Sequence, residues 1–258
     1  MEVRESDKQS FMRKILWIAM LVWLLLSPSF ASSGEFRVTP IRLEFDRGAK
    51  SGVITVLNEG DEKLHVQMRA FEWTQDTDGK DQYADTNDLI FFPRMMVLEK
   101  KEERIIRAGV KIPATTREKT YRLFIEEIPG PQKAEGVNVA ITIRFGVPIF
   151  AKPVKEDAKG EIEKIGLSKG ALHAVVKNKG NVHFIINSID IKGRNSKGEG
   201  IFSKELSGWY LLGGVSRLYS TPVPLEICKE LSKLDIEVKT NRFNLNGKLD
   251  VHEAMCTP

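Results

Sequence analysis

Cysteine and histidine are scarce in this chain. Across 258 residues there are two cysteines, Cys228 and Cys256, and four histidines, His65, His173, His183 and His252, scattered along the sequence. No Gly-x-Ser-x-Gly, His-Glu-x-x-His or glycine-rich phosphate loop occurs. The adjacent Glu126 and Glu127 would point to opposite faces of a strand, so they cannot share a substrate. No catalytic constellation and no cofactor motif is therefore legible. An excess of one charge is also missing. Lys and Arg number 39 against 35 Asp and Glu, for a net charge of +4, and the two signs are interspersed. That balance excludes a nucleic-acid footprint and describes a solvated, mixed surface. Helical periodicity is absent after the first thirty or so residues, and no apolar run is long enough to cross a membrane comfortably, which takes about 20 residues.

The longest apolar run, Ile15–Leu26, follows Arg13 and Lys14 and precedes Ser27-Pro28-Ser29-Phe30-Ala31. A basic start, a short apolar stretch and a small-x-small site make a secretory signal peptide, with cleavage expected after Ala31. Met12 sits beside the basic pair, so translation from Met1 or from Met12 is left open. The mature chain is expected to be exported, with no stable membrane insertion. In an oxidising compartment an even cysteine count reads as a disulfide, Cys228–Cys256. A metal pair of His252 with Cys256 would have two ligands and nothing clustering with them, so no metal is expected.

Strand signals fill the rest. Phe36–Phe45 alternates, with Ile41, Leu43 and Phe45 on one face and Arg42 and Glu44 on the other. Ser51–Asn58 and Leu64–Trp73 continue the pattern, and Thr74–Asp88 reads as a polar hairpin loop. Its carboxylates, Asp76, Asp78, Asp81, Asp85 and Asp88, lack the downstream Glu and flanking helices of a calcium loop. Arg104–Arg107 and Lys119–Ile128 follow, the latter closed by Pro129-Gly130-Pro131.

The most regular stretch is Gly136–Phe150. There Val139, Ile141, Ile143 and Phe145 alternate with Asn138, Ala140, Thr142 and Arg144. Pro148 near its end has no N–H for a central ladder, which makes this an edge strand. An apolar edge is a liability unless another chain uses it; the alternative is that its apolar side packs into its own core. After the charged connector Lys155–Gly160, a second series of strands runs through Ile162–Ser168, Ala171–Asn178, His183–Lys192, Leu206–Leu212, Val215–Val223 and Leu234–Thr240. Turns spaced about ten residues apart without helical period indicate an all-β fold. The expected organisation is residues 1–31 as signal, then two immunoglobulin-like β-sandwich domains in tandem, 32–152 and 153–258.

Certain residues carry a resemblance to a known family. Pro40-Ile41-Arg42, Phe92-Pro93 through Leu98 to Arg107, Tyr121–Pro129 (YRLFIEEIP) and the alternating strand ending Pro148-Ile149-Phe150-Ala151-Lys152-Pro153 are similar to the periplasmic chaperones of the chaperone–usher pilus pathway. The resemblance spans residues 36–258 and is firmer in the first half. It implies an export chaperone in the periplasm that lends a strand to pilin or fimbrial subunits and delivers them to an outer-membrane usher, without cofactor or covalent catalysis. The donated side chains would be Val139, Ile141, Ile143 and Phe145. Arg42 would anchor the subunit's terminal carboxylate. The second cation that the family places on the donor strand falls at Pro148, which leaves Arg144 or Lys152 to replace it. The Val-Pro-Ile-Phe pattern is more similar to the archaic or alternative branch. Whether the free protein caps its own edge as a dimer, and which subunit it serves, stays open. The other readings are an exported structural or adhesive module and, more remotely, an enzyme or metal protein.

Overall fold

The computed structural model describes residues 36–46, 48–129 and 141–256; the signal segment 1–31 and Val139 lie outside them. The first half is built of two facing sheets. One has the order β1 (Phe36–Thr39), β3 (Ser51–Asn58), β8 (Glu103–Val110), β6 (Leu89–Phe92). The other runs β2 (Leu43–Phe45), β10 (Arg144–Ala151), β9 (Lys119–Glu127), β4 (Leu64–Gln75), β5 (Asp81–Asp85), with β7 (Met95–Leu98) also on β4. Alternation drives this arrangement. Ile54, Val56 and Ile106 of the first sheet meet Val66, Leu98, Leu123, Ile125, Val147 and Ile149 of the second, all shut off from solvent. Each such side chain contributes about 1.5–3 kcal/mol by leaving water.

The second half repeats the plan. A sheet of β11 (Gly160–Ser168), β12 (Ala171–Asn178) and β16 (Ser216–Pro222) faces one ordered β14 (Gly200–Ser207), β13 (Phe184–Asn195), β17 (Leu231–Thr240), β18 (Asn244–Asp250), with β15 (Tyr210–Leu211) on β13. Val176, Phe184, Ile189, Leu234 and Val238 are central to its core. A short helix, α1 (Leu225–Glu230), carries the buried Cys228, which is joined to Cys256 with the Cα atoms 5.8 Å apart. Cys256 is thereby committed, and the pairing with His252 as metal ligands does not arise. The fold is all-β, two immunoglobulin-like sandwiches, as the alternation predicts. No helix among the described residues is long and apolar enough to cross a membrane.

Several elements differ from the sequence expectation. Phe36–Phe45 is not one strand: the chain leaves the first ladder at Pro40, which has no N–H to give, and resumes as β2 in the opposite sheet. Ile41, expected beside Leu43 in the core, sits at that crossing and is 71% exposed. The polar run Thr74–Asp88 is a loop only at its tip. Asp76 turns the chain by accepting the backbone N–H groups of Asp78 and Lys80, and Asp81–Asp85 then pairs back on β4. Polar composition hid a strand whose side chains are mostly exposed. β18 also lies outside the expected strands; its inward face is only Leu245, Gly247 and Leu249, all half-buried, among polar neighbours.

The sandwiches share polar and apolar contacts. Trp73 and Phe150 of the first pack with Leu212 of the second. Gln75 accepts from the Leu212 N–H at 2.9 Å and donates to the Tyr210 carbonyl at 2.9 Å. The buried side chains of Glu118 and His183 meet at 2.8 Å, and the His183 ring stacks on Phe150 with centroids 3.7 Å apart.

Candidate strand-binding site

β10 is an interior strand at one end and an edge at the other. It pairs with β9 along its whole length, from Arg144 opposite Glu126 to Ala151 opposite Lys119. On its other side β2 covers only Ile149–Ala151, in parallel register with Leu43–Phe45. Arg144–Pro148 has no strand on that side among the described residues. The edge-strand expectation therefore holds for these residues and fails for the last three. Proline fits where it stands: antiparallel ladders alternate inward and outward groups, and the phase is set by the Glu127 N–H donating to the Ile143 carbonyl at 3.0 Å. Odd-numbered residues of β10 thus bond to β9, and Arg144, Gly146 and Pro148 turn their backbone groups outward. Pro148 lacks an N–H where no ladder to β9 needs one.

The same alternation sorts the side chains. Val147 and Ile149 are buried in the first core, and Phe145 packs partly against it. Ile143 is half-buried and Ile141 is 70% exposed; both precede the start of β10. Of the proposed donor residues, Ile141 and Ile143 stand clear of the core, whereas Phe145 already serves it. On the opposite face, Gly146 has no side chain because a Cβ there would come within 2.9 Å of the Phe124 ring.

The proposed anchor cations separate into two places. Arg42 Nε lies 3.1 Å from Glu44 Oε1 and Lys152 Nζ lies 2.7 Å from Glu44 Oε2. β2 and β10 produce this meeting, since Glu44 stands beside Phe150 and the Lys152 N–H continues the ladder to the Phe45 carbonyl at 2.7 Å. Partial burial pushes the Glu44 carboxyl up, but the bond to Lys152 and the charges of Lys152, Arg42 and His183 outweigh it and hold Glu44 below its ordinary value. The bond to Glu44 in turn raises Lys152. Glu156 lies 3.5 Å from Lys152 and 2.9 Å from Arg242, carrying the charge network into the second sandwich. Arg144 does not join it. Its Nε is 2.6 Å from Glu126 Oε1 and its guanidinium lies 3.7 Å over the Phe124 ring.

One residue of this region was not singled out from sequence. Arg122, on β9 directly opposite Pro148, is only 6% exposed. Its guanidinium stacks 4.0 Å over Trp73, and Nη1 donates to the Gly146 carbonyl at 3.1 Å. The signal was an arginine inside the apolar run Tyr121–Ile125, since arginine is seldom buried without a partner to hold it.

The described architecture is thus a pair of immunoglobulin-like sandwiches, the first with a half-open strand edge near the Arg42, Lys152 and Glu44 charge cluster. Residues 35–156, which hold the first sandwich, match the family of pili and flagellar-assembly chaperones, PapD N-terminal domain. The chain is 22% identical to the chaperone protein FanE of Escherichia coli over 183 residues, covering 68% of this chain and 75% of that one. Its fold is similar to a chain of the CsuC–CsuE chaperone–tip adhesion subunit pre-assembly complex from the archaic Csu pili of Acinetobacter baumannii, with a TM-score of 0.59, 18% identity, and coverage of 82% and 98%. The YadV chaperone aligns with a TM-score of 0.55, 15% identity, and coverage of 84% and 99%.

Proposed function

We propose that this chain is an exported, periplasmic chaperone that captures pilin-type subunits on the open edge of β10 and passes them to an outer-membrane usher. The observation that carries this reading is the edge itself: Arg144–Pro148 is paired on one side and has no strand on the other among the described residues, and it continues a segment whose Ile141 is exposed. The family match of residues 35–156 supports it, as do structural neighbours that hold a chaperone with a tip subunit and a pilin with its chaperone.

An incoming strand gains backbone bonds of about 1 kcal/mol net each and covers Ile141 and Ile143, at about 1.5–3 kcal/mol for each side chain fully buried. Arg42 is the anchor for the subunit's terminal carboxylate. Lys152, which shares Glu44 with it, is the better second cation than Arg144, which is occupied by Glu126 and Phe124. The reaction is binding and release, with no covalent step. Co-purification of the exported chain with a small exported subunit tests the reading. A stoichiometric complex is expected; a chain recovered alone when such a subunit is co-expressed would overturn it.

A further inference from the structure

The outward backbone groups of the β10 edge can be counted. Arg144 offers an N–H and a C=O, and Gly146 offers an N–H. The Gly146 C=O already accepts a bond from Arg122 Nη1 at 3.1 Å. Pro148 has no N–H, and from Ile149 onward β2 holds the ladder. The usable edge on β10 therefore ends at the Gly146 N–H, and Arg122 together with Pro148 marks that end. Buried backbone groups must be paired, so an incoming strand positions itself by the groups that remain free.

We infer that Arg122 is a positioning residue that sets the register of the captured strand, by holding the Gly146 carbonyl out of the ladder. This rests on the strand-capture reading above. Three observations support it. Arg122 is opposite Pro148 in the β9–β10 register, so one cross-strand row contains both halves of the stop. Gly146 stands opposite Phe124, two residues from Arg122 on β9, and puts no side chain on that face of the sheet, where the Phe124 ring takes the space of a Cβ. The Arg122 guanidinium is fixed over Trp73 beside the Tyr83 hydroxyl, its Nε is left without a hydrogen-bond partner, and its Nη1 bond is directed at the Gly146 carbonyl. A side chain kept only for stability would be expected to pair its Nε as well.

Releasing the carbonyl extends the usable ladder by one outward group. Register shifts in steps of two residues keep the same side chains facing inward, whereas a shift of one turns them over. Removing the Arg122 bond is thus expected to move the bound strand two residues toward Pro148.

The test uses the full mature chain and a synthetic peptide of alternating Val and Thr, carbon-13 labelled at one valine at a time. Isotope-edited NOEs from the Gly146 α-protons identify which valine lies opposite. Arg122→Met is expected to pass the contact to the valine two positions away, and Arg122→Lys, which can still reach the carbonyl, to keep the wild-type valine. Arg122→Gln, too short to reach it, is read in the same way should Arg122→Met fail to fold. An unchanged register in a folded Met or Gln variant, whatever its melting temperature, overturns the inference and leaves Arg122 as a structural support for Trp73. A wild-type chain that binds no such peptide overturns the strand-capture reading itself, and this inference with it.

Discussion

Arg42 and Lys152 grip the two oxygens of one carboxylate: Glu44 receives Arg42 Nε at 3.1 Å and Lys152 Nζ at 2.7 Å. In the free chain Glu44 thus occupies the cations assigned to the subunit's terminal carboxylate. Replacing Glu44 with Gln removes the competitor. Exposed and half-exposed ion pairs contribute about 0.2–1 kcal/mol, so Glu44→Gln is expected to tighten binding of a carboxylate-ended strand by about twofold to fivefold. Titration calorimetry with acid-ended and amidated peptides checks it, since the amide is expected to gain nothing. The pH dependence has the same origin. Glu44 is held below its ordinary value, so its contribution to folding is complete above that value and fades as pH falls through the folded one. The melting temperatures of the wild type and Glu44→Gln should accordingly converge as pH falls through that folded value, which thermal melts at acid pH check.

Arg42→Ala is expected to weaken capture of an acid-ended strand by about tenfold to a hundredfold, as for loss of a charge-assisted bond of about 1.5–3 kcal/mol. Its effect on the chain's own melting is expected to be slight, because the Arg42 side chain is 38% exposed and its ion pair with Glu44 is a surface one. Amidating the strand is expected to cost less in this background than in the wild type, since coupled groups do not add. Lys152→Ala is expected to behave similarly, and Arg144→Ala to leave the acid-to-amide difference unchanged.

The edge separates lending side chains from supporting ones. Ile141→Asp is expected to leave the free protein folded and to abolish subunit capture, because Ile141 is 70% exposed. Phe145→Asp is expected to lower the melting temperature of the free chain, since Phe145 packs against the first core. Circular dichroism melts alongside pull-down of a subunit distinguish the two.

Much of this was legible in the sequence, and the losses have identifiable causes. Period-two alternation reports strands with one buried face, so β3, β4, β9 and β12 could be read directly. It fails where both faces are wet, as in β5, and where a proline moves the chain between sheets, as at Pro40. The site was half legible. Arg42 and Lys152 stand out as cations near the ends of apolar strands, but their sharing of Glu44 depends on the parallel pairing of β2 with β10, and parallel register between segments a hundred residues apart leaves no local mark. Arg144 was attractive because it shares a face with position 148; the aromatic ring that captures it belongs to another strand. Phe145 alternates with the same period as Ile141, yet only the end of β2 decides where own core stops and free edge begins.

The second sandwich depends on its disulfide. Cys228–Cys256 closes a loop with a sequence separation of 28, for which the chain-entropy model gives about 3–4 kcal/mol. Replacing both cysteines with Ser is expected to destabilise the second sandwich by that order and to leave the first core intact. Hydrogen exchange resolved by segment checks it: faster exchange in β13 and β17 with β3 and β8 unchanged is the expected pattern.

The central claim is that a partner strand completes the sheet at β10. Amide hydrogen exchange at Arg144 and Gly146, measured with and without a bound pilin-type subunit, tests it most directly. Their N–H groups face outward and are predicted to become strongly protected on binding, while Val147 and Ile149, already bonded to β9, stay as they are. A stable complex in which the Arg144 and Gly146 amides exchange as fast as in the free chain would contradict the account.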